Sequence, residues 1–358
     1  MPVPVRLIHV GLGGWGGNWA RSVLPTVGEV EVVAVVDPHG PTLDAVVADA
    51  GLDPSRAFPA LSQAIGAVDA DGVVITSPAV THVPLALEAL EAGLHVLVEK
   101  PLANSLAEAV TAADRAEELG LILQVSQNYR HYPAPKLVSR LVNDGAVGEL
   151  SAINIDFRQW DNDEPAATHR HYAFPHPLIA DMAIHHFDLL RMVTGREAVS
   201  VYAKTSSPTF SKYAQEASAA IVIELDGGLV VSYRGSWLSR GTPTPWAGEW
   251  RIEGESGEIF FTSRGGGEKE DASGDVVTLR TPGGRRARPL TLEESDVYDR
   301  AGVLREFARA ILGGAAPQTT ARDNIGSLAI MDAALRSAAS GRAEPVVLHR
   351  PATKENRP

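Results

Sequence analysis

Asp181, His185 and Asp188 stand four and three residues apart in the run D-M-A-I-H-H-F-D. On an α-helix that spacing puts the three side chains on one face. A carboxylate one turn from an imidazole can orient the ring and raise its basicity. Asp181 and His185 are therefore read as a general base for an alcohol being oxidised, or an acid for the reverse step. His186 projects about 100° round the helix and is read as a packing residue. Asp188 is read as a structural acid, paired with Arg191.

Lys100 offers a second kind of chemistry. It follows H-V-L-V-E, an apolar run that reads as a buried parallel strand. Open α/β sheets bind ligands just outside the carboxyl ends of their strands. A lysine there can hydrogen-bond a substrate hydroxyl, and burial would lower its pKa so that it relays a proton. The alternative is a surface lysine paired with Glu99. Spacing does not decide whether Lys100 or His185 takes the proton.

The third feature is Gly11-Leu12-Gly13-Gly14-Trp15-Gly16, which follows V-R-L-I-H-V and opens a helical segment. A second apolar run ends in Asp37, about 20 residues beyond the last glycine, where a dinucleotide-binding fold carries its ribose acid. Gly11 would permit the tight turn, Gly13 a close approach of the pyrophosphate, and Gly16 close packing of helix on strand. The pyrophosphate would sit on the helix N-terminus. Asp37 would bind an adenosine ribose and repel a 2′-phosphate, which favours NAD over NADP.

With E-K-P at Glu99–Pro101, this fingerprint resembles the glucose-fructose oxidoreductase / inositol dehydrogenase / rhizopine-catabolism (Gfo/Idh/MocA) oxidoreductase family. The likeness runs through nearly the whole chain, down to a closing A-A-L-R-S-A-A-S-G at residues 333–341. Ala79 departs from it, standing where the family often has Asn. The resemblance implies an NAD-dependent dehydrogenase acting on CH-OH groups, with Lys100, Asp181 and His185 catalytic and Pro101 beside the nicotinamide. It implies cofactor contacts from Gly11, Gly13, Gly14, Trp15, Gly16 and Asp37, from Thr76, Ser77, Pro78 and His82, and from Glu99, Pro101 and Asn128. Ser77 and Pro78 would act through backbone geometry near the ribose. Arg130, in the same Q-N-Y-R segment as Asn128, would touch substrate, or else serve interdomain hydrogen bonding.

His169, His171, His176, His185 and His186 crowd one short stretch. Imidazole suits zinc, but no compact ligand motif such as H-E-x-x-H is present, so no metal is assigned. The stretch is read as a polar substrate pocket, with Trp160 and Tyr172 as sugar-stacking faces and His171 as a hydroxyl partner. Only Arg170 stands in this loop as a phosphate-binding cation, so an uncharged or weakly charged polyol is expected rather than a sugar phosphate, unless Arg130 and Arg158 both face the pocket.

These groups need a scaffold. Short apolar runs at residues 5–10, 31–37, 72–76, 95–99 and 122–126 alternate with helical patterns at 18–27, 42–50, 61–67, 83–92 and 106–120. That alternation predicts a parallel sheet covered on both faces. Ser105 with Glu108 forms a capping box. After about Gln127 the pattern changes. A helix is expected at 135–143, a half-buried strand at 149–160 and a helix at 177–194 closed by Gly195. Alternating strands follow between 198 and 261, including 219–225, 229–237 and 250–253. Loops are expected at 265–267 and 282–286. Helices at 297–312 and 325–340 end at Gly313 and Gly341, each suited to a left-handed cap. The fold class expected is α/β: an N-terminal Rossmann domain over 1–127, and an α+β domain with an open, mainly antiparallel sheet over 128–350. The final helix is free to pack back on the first domain, and 351–358 form a tail.

The chain has 358 residues, long for one core. No cysteine is present, which excludes disulfides and thiolate metal sites. A net charge of −12 argues against nucleic acid or an anionic membrane as partner. No signal-peptide pattern or membrane span is seen, so a cytoplasmic protein is expected. The expected partners are a small polyol or sugar and further copies of the chain, a homodimer or homotetramer formed through the exposed sheet face. Two rival functions are a glycoside- or ether-cleaving enzyme that recycles NAD within its site, and a non-enzymatic NAD-dependent sensor.

Overall fold

A computed structural model describes residues 3–265, 272–284 and 286–348. The expected loop at 265–267 lies outside the described residues after Gly265, as do residue 285 of the loop at 282–286 and the tail at 351–358. The described residues divide into two units, one of 3–128 with 300–325 and one of 129–299 with 326–348.

In the first unit the chain runs through β1 (Val5–Val10), α1 (Gly14–Asn18), β2 (Val30–Val36), α2 (Gly40–Ala50), β3 (Ala57–Phe58), α3 (Leu61–Ala67), β4 (Gly72–Ile75), α4 (His82–Glu91), β5 (His95–Val98), α5 (Leu106–Leu119) and β6 (Leu123–Val125). The six strands are parallel and ordered β3-β2-β1-β4-β5-β6. This is the doubly wound Rossmann order, with the crevice where the order reverses, between β1 and β4. Ser105 caps α5 by accepting the Glu108 N–H at 3.3 Å, as its capping box predicts. The short edge strand β3 carries too few residues to show a period and was not legible in the sequence.

The helix expected at 18–27 starts earlier and is not uniform. After α1 it widens into a π-helical turn over Trp19–Val23 and tightens into a 3-10 turn over Leu24–Thr26. Pro25 has no N–H to continue the ladder. The wide turn carries Trp19 fully inside.

The second unit opens with α6 (Pro133–Asn143), β7 (Leu150–Arg158) and α7 (Ile184–Thr194), and continues through β8 (Ala198–Ser206), β9 (Ser218–Leu225), β10 (Val230–Ser236), β11 (Glu249–Gly254), β12 (Gly257–Thr262), β13 (Val276–Arg280) and β14 (Arg288–Pro289). Then α8 (Asp299–Ile311) lies almost wholly in the first unit, α9 (Ala321–Ser340) follows, and β15 (Glu344–Pro345) ends the second. Nine strands form one open sheet, β14-β13-β12-β11-β7-β10-β9-β8-β15. Every neighbour pair is antiparallel except β10 with β7. Along β9 and β10 buried and exposed residues alternate. Ile221, Ile223, Val231 and Tyr233 face the core, whereas Val222 and Val230 with Tyr202 of β8 face outward. Gly313 and Gly341 adopt φ of 89° and 70° beyond the ends of α8 and α9. Among the described residues no helix is long and apolar enough to cross a membrane.

The helix expected at 177–194 also has two parts. Residues Pro177–Ala183 form a wide π-helical turn, and only Ile184–Thr194 is α-helical. Asp181 lies on the wide part and His185 on the regular one, so the turn between them is wider than the 3.6 residues assumed from spacing.

Candidate active site

In the first unit the glycines divide by role. Gly11 follows β1 at φ +86°, a conformation that side chains disfavour, and a Cβ there would lie 2.5 Å from the Ser77 backbone. A Cβ on Gly16 would lie 1.7 Å from the Gly11 carbonyl oxygen, so only glycine lets α1 pack this closely on β1. Gly13 and Gly14 are different. A Cβ on either would meet nothing within 4 Å, and Gly13 gives the helix no side-chain cap. The first N–H groups of the helix therefore face a cradle shaped for an anion, and this fits the pyrophosphate of a dinucleotide.

Asp37 sits just past β2. Its two oxygens accept the N–H groups of Leu12 at 2.7 Å and His39 at 2.8 Å. Those bonds lock the carboxylate against the glycine turn and leave each oxygen lone-pair capacity for ribose hydroxyls. Behind the turn, the Thr76 hydroxyl donates to the Gly11 carbonyl at 2.6 Å and receives His9 Nε2–H at 2.9 Å. His9 is buried, and burial pulls its pKa down to about 4.

Lys100 is half-buried beyond the end of β5, and its peptide bond to Pro101 is cis. Glu99 does not pair with it as a surface neighbour. Glu99 is buried, accepts the Trp19 indole N–H at 2.8 Å on one oxygen and receives the Lys100 backbone N–H at 3.2 Å on the other. The π-helical turn that turns Trp19 inward thus braces the segment carrying the lysine. His82 lies between two backbone carbonyls, Ser77 O and Pro101 O, each at 2.8 Å. Burial lowers its pKa, and a neutral imidazole has one N–H for the two acceptors. The Ser77 hydroxyl meets Thr81 Oγ1 at 2.6 Å, and Thr81 returns a bond to the Pro78 carbonyl at 2.8 Å. Trp15 is exposed, with the Arg300 guanidinium 4.1 Å from its ring centre. Asn128 is buried.

In the second unit the His185 imidazole is buried and stacked on Tyr129, with ring centroids 4.3 Å apart. Arg264 Nη1 donates to the Tyr129 hydroxyl at 2.9 Å, and its Nε donates to Asp299 at 2.8 Å. Burial pushes the Tyr129 hydroxyl up to about 12. His186 is fully buried and contacts the Tyr233 hydroxyl at 3.2 Å and the Trp246 carbonyl at 3.0 Å, as a packing residue should.

Asp181 has a partner that spacing did not reveal: its carboxylate lies 3.4 Å from His171 Nε2. The other ring nitrogen, His171 Nδ1, is 2.9 Å from Asp161. Burial opposes charge on His171, but its bonds to Asp161 and Asp181 outweigh this and raise its pKa to about 9. Asp161 also receives the Tyr213 hydroxyl at 2.5 Å and lies 3.1 Å from His169 Nε2. Burial would raise its pKa, but His171, Tyr213 and His169 hold it down at about 2. Asp161 and Tyr213 were missed because they lie 8 and 42 residues from the histidines they join. Tyr172 is buried beside His169, with ring centroids 4.4 Å apart. Trp160 carries the Arg240 guanidinium over its ring, 3.5 Å from the centroid.

The pairing expected for Asp188 is not the one found. Asp188 pairs not with Arg191 but with Arg130, whose Nε and Nη2 reach its two oxygens at 2.6 and 2.7 Å. The planar guanidinium fork fits the carboxylate bidentately, and Ser327 adds a bond at 3.0 Å. Arg191 instead forks onto Glu197, at 2.8 and 2.6 Å. Arg130, placed among the substrate contacts by the sequence, is buried and tied to α7 through this pair.

Residues 5–127 match the family model "Oxidoreductase family, NAD-binding Rossmann fold", and residues 136–260 match "GFO/IDH/MocA C-terminal domain". "Uncharacterized protein y4oX" of Sinorhizobium fredii is 28% identical over 94% of both chains. The scyllo-inositol 2-dehydrogenase (NAD(+)) of Bacillus subtilis is 28% identical over 72% of this chain and 73% of its own. An oxidoreductase from Agrobacterium radiobacter, solved with NAD+, L-tartaric acid and magnesium, superposes with a TM-score of 0.82 at 20% identity, over 96% of this chain and 99% of its own.

Proposed function

Because the chain belongs to the glucose-fructose oxidoreductase / inositol dehydrogenase / MocA family of NAD-binding oxidoreductases, we propose that it oxidises or reduces a secondary alcohol of a neutral sugar, cyclitol or sugar derivative. The observation that carries this reading is the support built around the acid–base residues: Asp181 held by His171, and His185 stacked on Tyr129.

In this reading Gly13 and Gly14 receive the pyrophosphate, Asp37 holds the adenosine ribose, and the loops of Thr76–Pro78, His82, Pro101 and Asn128 line the rest of the cofactor. Bound NAD supplies the hydride acceptor. His185, with Asp181 to raise its basicity, is the group assigned the hydroxyl proton of the alcohol, and Lys100 is assigned the role of steadying negative charge as it forms. The reverse reaction runs through the same groups.

A neutral substrate is favoured because Arg170 is the one cation of the histidine-rich loop, and two further arginines that could have turned to an anionic substrate are committed to carboxylates. Arg130 binds Asp188, and Arg158 binds Glu249 at 2.7 Å. The scyllo-inositol dehydrogenase among the relatives supports a cyclitol or a similar polyol. The outward face of the nine-stranded sheet, with Tyr202, Val222 and Val230 exposed, would join copies of the chain into a dimer or tetramer. The test is a panel of polyols and sugars with NAD, read by NADH absorbance. Net NADH release with one of them, lost in His185→Ala, supports the dehydrogenase. Turnover without net NADH release would replace it with a cofactor-recycling lyase.

A further inference from the structure

We propose that Asp161, His169 and His171 form a binding site for a divalent transition-metal ion of the zinc class. Their donor atoms all lie within 4.8 Å of one another, and none of the three side chains is fully exposed. The donors are two imidazole nitrogens and a carboxylate oxygen, the mixture that suits zinc and its neighbours rather than magnesium or calcium.

The spacings fit one ion. His171 Nδ1 is 2.9 Å from Asp161 Oδ2, and His169 Nε2 is 3.1 Å from Oδ1 and 3.2 Å from Oδ2. Ligands about 2.0–2.1 Å from a tetrahedral zinc stand roughly 3.3 Å apart, so small outward shifts would admit the ion. Both imidazoles thus converge on one carboxylate, His171 on a single oxygen and His169 on the pair.

A second observation is independent of the donor set. The far ring nitrogen of His171 faces Asp181 at 3.4 Å. Metal-binding histidines commonly give their second N–H to a carboxylate, which fixes the ring and makes the ligating nitrogen more basic. The walls around the donors are aromatic. Trp237, Tyr213 and Phe174 stand edge-on to His171, at centroid distances of 4.8, 5.3 and 5.6 Å. Three protein ligands leave a fourth position, which the Tyr213 hydroxyl, 3.1 Å from His171 Nδ1, either covers or yields to a substrate oxygen.

The experiment uses the full chain, stripped with a chelator and titrated with zinc against a competing indicator, with cobalt(II) as a spectroscopic probe. One zinc per chain is expected, with affinity falling at least about 10²-fold in both His169→Ala and Asp161→Asn. The half-buried His176, which meets Glu216 at 2.8 Å instead of Asp161, supplies the background control: His176→Ala should bind as the unaltered protein does. Cobalt should give visible bands of a low-coordinate N/O site. This last readout needs no variant, so it stands even where a substitution fails to fold. Equal zinc binding by the site variants, or cobalt spectra like those of the aqueous ion, would overturn the proposal and leave these contacts to protons alone. Because binding is read directly, the result does not depend on the dehydrogenase reading.

Discussion

The imidazole of His185 lies flat on the ring of Tyr129, with centroids 4.3 Å apart and planes 12° apart. Tyr129 is in turn gripped by Arg264 through its hydroxyl and through its ring face, 4.9 Å from the guanidinium carbon. The stack fixes the plane in which His185 can exchange a proton. Tyr129→Ala should lower turnover about tenfold at little change in KM, in line with the 0.5–1.5 kcal/mol of an aromatic pair. Tyr129→Phe keeps the ring and should stay within about threefold. Equal losses in the two variants would show that the hydroxyl, not the stack, matters.

His185→Ala should reduce turnover by about 10² or more while NAD affinity is retained, as expected for a lost acid–base group. Steady-state kinetics on the best substrate of the panel, with NAD binding measured by fluorescence, decide this. Near-normal turnover removes His185 from the mechanism.

The glycine pair Gly13 and Gly16 separates binding from folding. Gly13→Ala places its methyl in open space, so the melting temperature should hold while the NAD dissociation constant rises about tenfold or more. Gly16→Ala drives a methyl into the Gly11 carbonyl and should lower the melting temperature by several degrees. Thermal melts with and without NAD read both effects.

Asp37 should make NAD bind more tightly than NADP, through electrostatic repulsion of the 2′-phosphate. Asp37→Asn removes that charge but keeps an acceptor for the Leu12 N–H, and should narrow the gap between the two dissociation constants. Tighter NADP binding by the unaltered protein would reverse the assignment.

Stability should fall in mild acid. Burial lowers His9 and His186 to about 4 and His131 to about 3. The unfolded chain, with histidines near 6.5, binds these protons first. The contribution of the three neutral rings is complete above about pH 6.5 and is lost as pH falls through about 4, at a scale of several kcal/mol together. Denaturant midpoints at pH 7 and 4.5 test this, and equal midpoints would contradict it.

The Rossmann half was legible because its signals are local. A tight turn, a close contact and an anion seat each demand glycine within six residues, and Asp37 follows one strand later. The outward–inward alternation of β9 and β10 was readable for the same reason. What the sequence hid depends on distant partners or on a single hydrogen-bond register. Residues of the π-helical turns at Trp19–Val23 and Pro177–Ala183 have no composition that separates them from α-helix. Arg130 lies 58 residues from the Asp188 it binds, farther than any helical spacing reaches. Asp161, His171 and Tyr213 come together only when two separate connections settle, the one after β7 and the one between β8 and β9.

The first unit is not made from consecutive chain. Val303, Leu304, Phe307 and Ala308 of α8 are buried in the same apolar cluster as Leu7, Trp19, Val74 and Leu97. Thr319 closes the edge of β6, donating its hydroxyl to the Val125 carbonyl at 2.7 Å and accepting the Val125 N–H at 2.8 Å. During synthesis the nucleotide-binding sheet therefore emerges from the ribosome with an apolar face uncovered, and waits for a helix encoded nearly two hundred codons later. At about 5–20 residues per second that interval is on the order of ten to forty seconds, ample time for a chaperone to engage the nascent chain. A fragment that stops after β6 would carry the same exposed face permanently.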